Sequence, residues 1–84
     1  MQISFHGFGA TRALSGYTLE VAEMSSIAAI KKILISSIQQ QEKYAGLAEI
    51  LIATALASDD QVFNDDEIIS KNTTINLLPP VCGG

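Results

Sequence analysis

Three observations predict an α+β domain with one helix packed across a mixed sheet. The first residues alternate apolar and polar side chains. A middle segment changes to helical spacing. The last segment alternates again and stops at two prolines.

Residues 2 to 8 read Gln-Ile-Ser-Phe-His-Gly-Phe. Ile3 and Phe5 alternate with Gln2, Ser4 and His6, as in a half-buried strand. Gly7, Gly9 and Gly16 punctuate the following stretch, which reads as a loop. Tyr17 to Val21 alternates once more and is rich in strand formers. These two segments are expected to pair as an antiparallel hairpin with a long, loose connection. From about residue 26 to 41 the period changes. Ile27, Ile30, Leu34 and Ile38 form one stripe, widened by Ile33, and Ile35 lies away from it. Lys31, Lys32, Ser36 and Gln39 are expected on the wet side. Ser25 or Ser26 suits the N-cap, where a hydroxyl accepts from an orphan N–H.

Residues 47 to 57 fit two readings. Leu47, Ile50, Leu51 and Thr54 suit a helix, as do the alanines. A buried strand is also a short apolar run, and periodicity does not decide between them. Asp59-Asp60 marks a turn. Gln61-Val62-Phe63 and Ile68-Ile69 are short strand candidates around a turn at Asn64-Asp65-Asp66. Lys71-Asn72-Thr73 reads as a further turn. Thr74 to Leu78 reads as the last strand, which Pro79 and Pro80 end, since neither donates to a ladder. The domain is expected over residues 1 to 78, with a tail over 79 to 84.

Composition narrows the function. The 84 residues fit one domain, with 48% apolar and 17% charged residues, which excludes disorder. Nine acids against five bases give a net charge of -4, which argues against nucleic acid as partner. One cysteine and one histidine exclude a multi-cysteine zinc site. No apolar run reaches the roughly 20 residues of a membrane span, and no export signal is visible. A free thiol without an export signal points to the cytoplasm. No Ser-His-Asp set, phosphate loop or metal motif appears, so stand-alone catalysis is not expected.

The tail carries the chemistry. It reads Leu78-Pro79-Pro80-Val81-Cys82-Gly83-Gly84. Pro79 and Pro80 favour an extended arm. From Pro79 the arm reaches about 20 Å when extended. Gly83 and Gly84 lack side chains and can pass through a narrow channel in a partner. Prolines lower the entropy lost when a partner orders the arm.

This ending resembles that of the MoaD/ThiS sulfur carriers, closest to the small subunits of molybdopterin synthase. That family typically ends in an apolar pair, Pro-Pro-Val, a small residue and Gly-Gly. The segment Phe8-Gly9-Ala10-Thr11-Arg12-Ala13-Leu14-Ser15-Gly16 is similar to the stretch after the family's first strand. Departures are Lys71-Asn72-Thr73-Thr74, where the family often has a Gly-Asp-Glu type turn, and Leu77-Leu78, where it often has an aromatic. The resemblance implies a ubiquitin-like β-grasp fold and would make residues 50 to 57 a central strand.

It also implies a mechanism. A free carboxylate is a poor electrophile. A ubiquitin-activating-type adenylyltransferase (MoeB-like) would transfer AMP from ATP to Gly84. A persulfide or sulfide would then displace AMP and leave a thiocarboxylate. In the large synthase subunit (MoaE-like), that sulfur would reach a pterin precursor. ATP is used by the partner, and no cofactor is expected on this chain. Gly84 would be the reacting residue and Gly83 its thin neighbour. The docking surface is expected to comprise Phe8, Leu77, Leu78, Pro79, Pro80, Val81 and Cys82. A carrier for thiamine thiazole or another thiolated product, a protein modifier, and an interaction module with an inert tail stay open.

Smaller features have plainer readings. Cys82 is a tolerated small side chain or a thiol for a transient mixed disulfide. His6 is a solvent-facing strand residue. Asp59, Asp60, Asp65, Asp66 and Glu67 are a solvated stretch or a steering patch for a basic partner.

Overall fold

The computed structural model describes residues 1 to 80. Gly83 and Gly84, expected at the reaction, and Val81 and Cys82, expected in docking, lie outside the described residues.

The chain forms β1 (Gln2–Gly7), a 3-10 segment (Gly9–Leu14), β2 (Thr18–Glu20), β3 (Ser25–Ser26) and α1 (Ile27–Gln39). A second 3-10 turn (Glu42–Tyr44), α2 (Leu47–Ile52), β4 (Ala55–Ala57), β5 (Ile68–Ile69) and β6 (Thr73–Leu78) follow. The main sheet has the order β2-β1-β6-β4, and β3 pairs with β5 in a separate ribbon. β1 runs antiparallel to β2 and parallel to β6, while β4 runs antiparallel to β6, so the sheet is mixed. The α+β expectation, with one main helix across a mixed sheet, holds.

Alternation places Ile3 and Phe5 of β1 and Ile75 and Leu77 of β6 on the helix side, all buried. Ile27, Ile30, Leu34 and Ile38 of α1 meet them in one core cluster. Each such side chain contributes roughly 1.5–3 kcal/mol on leaving water. α1 starts where its orphan donors find acceptors. The Ser26 hydroxyl accepts from the Ala29 N–H at 3.1 Å. The carbonyls of Glu67 and Asp65 accept from Ile27 and Ala28 at 2.9 and 3.0 Å.

Several expectations are corrected. The connection between β1 and β2 is not a loose loop. It is a 3-10 segment with Thr11 and Leu14 buried. Ile33 does not widen the buried stripe, because it is exposed, whereas Ile35 packs against the core. Lys31 is not simply on the wet side. It stands next to the stripe, and its Nζ donates to the carbonyls of Ile52 and Thr54 at 2.9 and 2.8 Å. That satisfies acceptors at the C-terminal end of α2.

Residues 50 to 57 are not a central strand. The segment is split between α2 and the three-residue β4, the last strand in the order of the main sheet. Thr54 marks the break: its hydroxyl turns back to donate to the Ile50 carbonyl at 2.8 Å. Gln61–Phe63 and Ile68–Ile69 do not pair with each other. Val62 bridges to Ala57 across a tight turn at Ser58–Gln61, and β5 pairs with β3. The acidic stretch is likewise not one patch, since the backbone of Asp65 and Glu67 caps α1 while Asp59 contacts β6.

Candidate functional site

The sheet has one face covered by α1 and one left open. The open face carries Ser4 and His6 of β1, Thr74, Asn76 and Leu78 of β6, and Thr18 and Glu20 of β2. Phe8 follows β1 directly and is 43% exposed. Its ring lies 4.7 Å from that of His6, centroid to centroid, with the planes tilted by 54°. His6 is opposite Asn76 in the parallel register, and Asn76 is opposite Ala57 on its other side. The Asn76 amide donates to the Asp59 carboxylate at 3.0 Å. An aromatic, a half-buried leucine and an acid thus border the place where β6 ends.

The expected docking residues are therefore only partly brought together. Phe8 is exposed, Leu78 and Pro79 are half-buried, and Pro80 is exposed at the end of β6. Leu77 is a correction. It is 0% exposed and belongs to the core, so it is not part of a docking surface. The alternation with Ile75 carries that signal, since residues two apart on a strand share a face. Val81, Cys82, Gly83 and Gly84 lie outside the described residues.

Two residues that sequence reasoning passed over shape this end of the sheet. Thr11 is fully buried, and its hydroxyl donates to the Leu77 carbonyl at 2.8 Å. Gly7 lies beneath it. A Cβ at Gly7 would come within 1.9 Å of the Thr11 carbonyl oxygen, so no other residue fits without moving backbone. The Ser15 hydroxyl accepts from the Gly7 N–H at 2.9 Å and closes the turn from the other side.

Among the described residues, no three or more of His, Cys, Asp and Glu gather closely enough to hold a metal ion. Among them also, no helix is long and apolar enough to cross a membrane.

No family model matches the sequence, and no curated protein matches it. The fold does match solved structures. The crystal structure of the UBL domain of Plasmodium falciparum Dsk2 superposes with a TM-score of 0.64 at 14% identity, covering 95% of this chain and 97% of that one. At that identity the likeness speaks for architecture alone, and it agrees with the strand order and the single main helix: the chain has the ubiquitin-like β-grasp fold.

Proposed function

We propose that this chain is a sulfur carrier, the small subunit of a molybdopterin synthase. One observation carries the reading. A ubiquitin-like domain runs from its last strand straight into Pro79-Pro80-Val81-Cys82-Gly83-Gly84, beside an open sheet face with Phe8 and Leu78 at its rim. The domain docks through that face, and the arm carries the reacting residue to another protein's active site. This division explains why the chain needs no catalytic cluster of its own.

The Gly84 carboxylate attacks the α-phosphorus of ATP in a ubiquitin-activating-type adenylyltransferase, and pyrophosphate leaves. The acyl-adenylate then has a good leaving group. A sulfide equivalent attacks the carbonyl carbon, AMP leaves, and a thiocarboxylate remains. The large synthase subunit receives the loaded tail and passes its sulfur to a pterin precursor. Within the sulfur carriers, the Pro79-Pro80-Val81 segment favours the pterin acceptor over a thiazole, because it resembles the molybdopterin branch.

The test is intact mass. The purified chain is incubated with a ubiquitin-activating-type adenylyltransferase, ATP and a sulfur donor. The expected product is heavier by one exchange of oxygen for sulfur, located at Gly84 by fragmentation. A chain that is adenylated but accumulates only as conjugates to lysines would make it a protein modifier. A chain that is never adenylated by its authenticated partner would refute the carrier reading.

A further inference from the structure

We propose that Thr11 is a positioning residue that fixes the direction in which the chain leaves β6. The geometry stands without the carrier reading, and its consequence for catalysis rests on that reading.

The parallel ladder between β1 and β6 ends at the pair Gly7–Leu77. Beyond Gly7 the chain turns into the 3-10 segment, so β1 offers no further strand donors to β6. Thr11 reaches back from that segment, and its hydroxyl meets the Leu77 carbonyl at 2.8 Å, across 66 positions of sequence. A hydroxyl donates one proton. Its other acceptor, the Phe8 carbonyl at 3.0 Å, already takes the Thr11 backbone N–H at 3.0 Å. The Leu77 carbonyl, at 2.8 Å, is the nearer of the two acceptors of the Thr11 hydroxyl oxygen. The same oxygen accepts the Phe8 N–H at 2.9 Å, so one side chain ties the exposed aromatic to the strand end.

Pro79 lies two residues further on, near Gly9. Gly9 adopts a left-handed φ of 53°, and a Cβ built on it would sit 3.9 Å from Cγ of Pro79. The first proline of the arm thus stands beside the loop that Thr11 holds, close enough that a side chain on Gly9 would touch it. The Thr11 bond holds the strand end next to this loop. Gly7, with no room for a Cβ under the Thr11 carbonyl, lets the loop come this close. Pre-setting the exit direction lowers what a partner must spend on ordering the arm.

The test compares wild type with Thr11→Ser, which keeps the hydroxyl, and Thr11→Val, which keeps the shape and loses the donor. Two readouts separate positioning from mere stability. The first is the NMR cross-peak between Gly9 Hα and Pro79 Hγ, which needs no partner. The second is steady-state ATP–pyrophosphate exchange by a ubiquitin-activating-type adenylyltransferase, with the chain as varied substrate.

Wild type and Thr11→Ser should show the cross-peak, and Thr11→Val should lose it. Thr11→Val should raise KM about tenfold with kcat within about twofold, and Thr11→Ser should restore KM. The proposal is overturned if Thr11→Val lowers the melting temperature yet keeps both the cross-peak and KM. If wild type supports no exchange with its authenticated partner, the carrier reading fails, and the cross-peaks alone decide the geometry. Should Thr11→Val not fold, Thr11→Cys, a much weaker donor, replaces it in both readouts under reducing conditions.

Discussion

The two faces of the main sheet are built from the same strands and do opposite things. Toward α1 the strands present Ile3, Phe5, Leu56, Ile75 and Leu77, all buried. Away from it they present Ser4, His6, Thr74, Asn76 and Leu78, none of them buried. The covered face makes the fold, since removing its apolar area from water drives folding. The open face, mostly polar and half-buried or exposed among the described residues, adds little to that drive. The faces meet at the end of β6, where Leu77 points inward, Leu78 does not, and the arm begins.

Phe5 and Phe8 give the comparison its sharpest test, being the same residue type three positions apart. Phe5→Ala should cost about 3–5 kcal/mol, through lost burial and the cavity left behind. A domain of 84 residues has only about 4–12 kcal/mol to lose. Urea unfolding should therefore show a midpoint collapsing toward zero. Phe8→Ala should move stability by less than about 1 kcal/mol, because the ring is partly in solvent, beside the His6 ring, and outside the core cluster. Its effect should appear instead as a raised KM for adenylation. Equal losses of stability in the two variants would break the distinction between the faces.

Gly7→Ala probes the seam between them. The added methyl has no side chain to push aside, only the Thr11 carbonyl 1.9 Å away. Moving that backbone should cost about 1–3 kcal/mol. Each kcal/mol lowers the melting temperature of a domain this size by roughly 4–8 °C, which calorimetry resolves easily.

Much of the covered face was legible in the sequence, because burial on one side imposes a period. Ile3 and Phe5 at spacing two, and Ile27, Ile30, Leu34 and Ile38 at helical spacing, leave little choice of element. The prolines ended the last strand where the sequence placed them. What stayed hidden depends on contacts between distant residues. Ser25 and Ser26 read as helix caps, yet they also pair with Ile69 and Ile68, and two polar residues carry no strand period. Thr11 sits between glycines and looks like loop, while the partner that buries it is Leu77. Residues 47 to 57 changed element midway, too soon for either period to show. Of the residues expected at the candidate site, Phe8 and Leu78 do lie off the core. Leu77 belongs to the core because it shares a face with Ile75, two positions back on the same strand.

Lys31→Met should cost about 1 kcal/mol in urea unfolding. Methionine keeps much of the apolar stem but leaves two carbonyls, of Ile52 and Thr54, without their charged donor. The change lies on the α1 side of the sheet, so adenylation should proceed with unchanged KM. A raised KM would extend the docking surface around the edge of β4 onto α2.

Met24→Asn carries the smallest effect and the opposite sign. Met24 sits in the turn between β2 and β3 at a φ of 65°, exposed, in a region that suits Asn far better than a long apolar side chain. Relieving that strain should stabilise the domain by about 0.5 kcal/mol and raise the melting temperature by roughly 2–4 °C. The turn follows Glu20, which pairs with Gln2 at the start of β1, so it lies at the far end of the sheet from Phe8 and Leu78. A partner gripping the rim where β6 ends does not reach it, and adenylation kinetics should match wild type. If KM changed along with the melting temperature, contact would extend the full length of the strands, and the open face as a whole, not its rim, would be the docking surface.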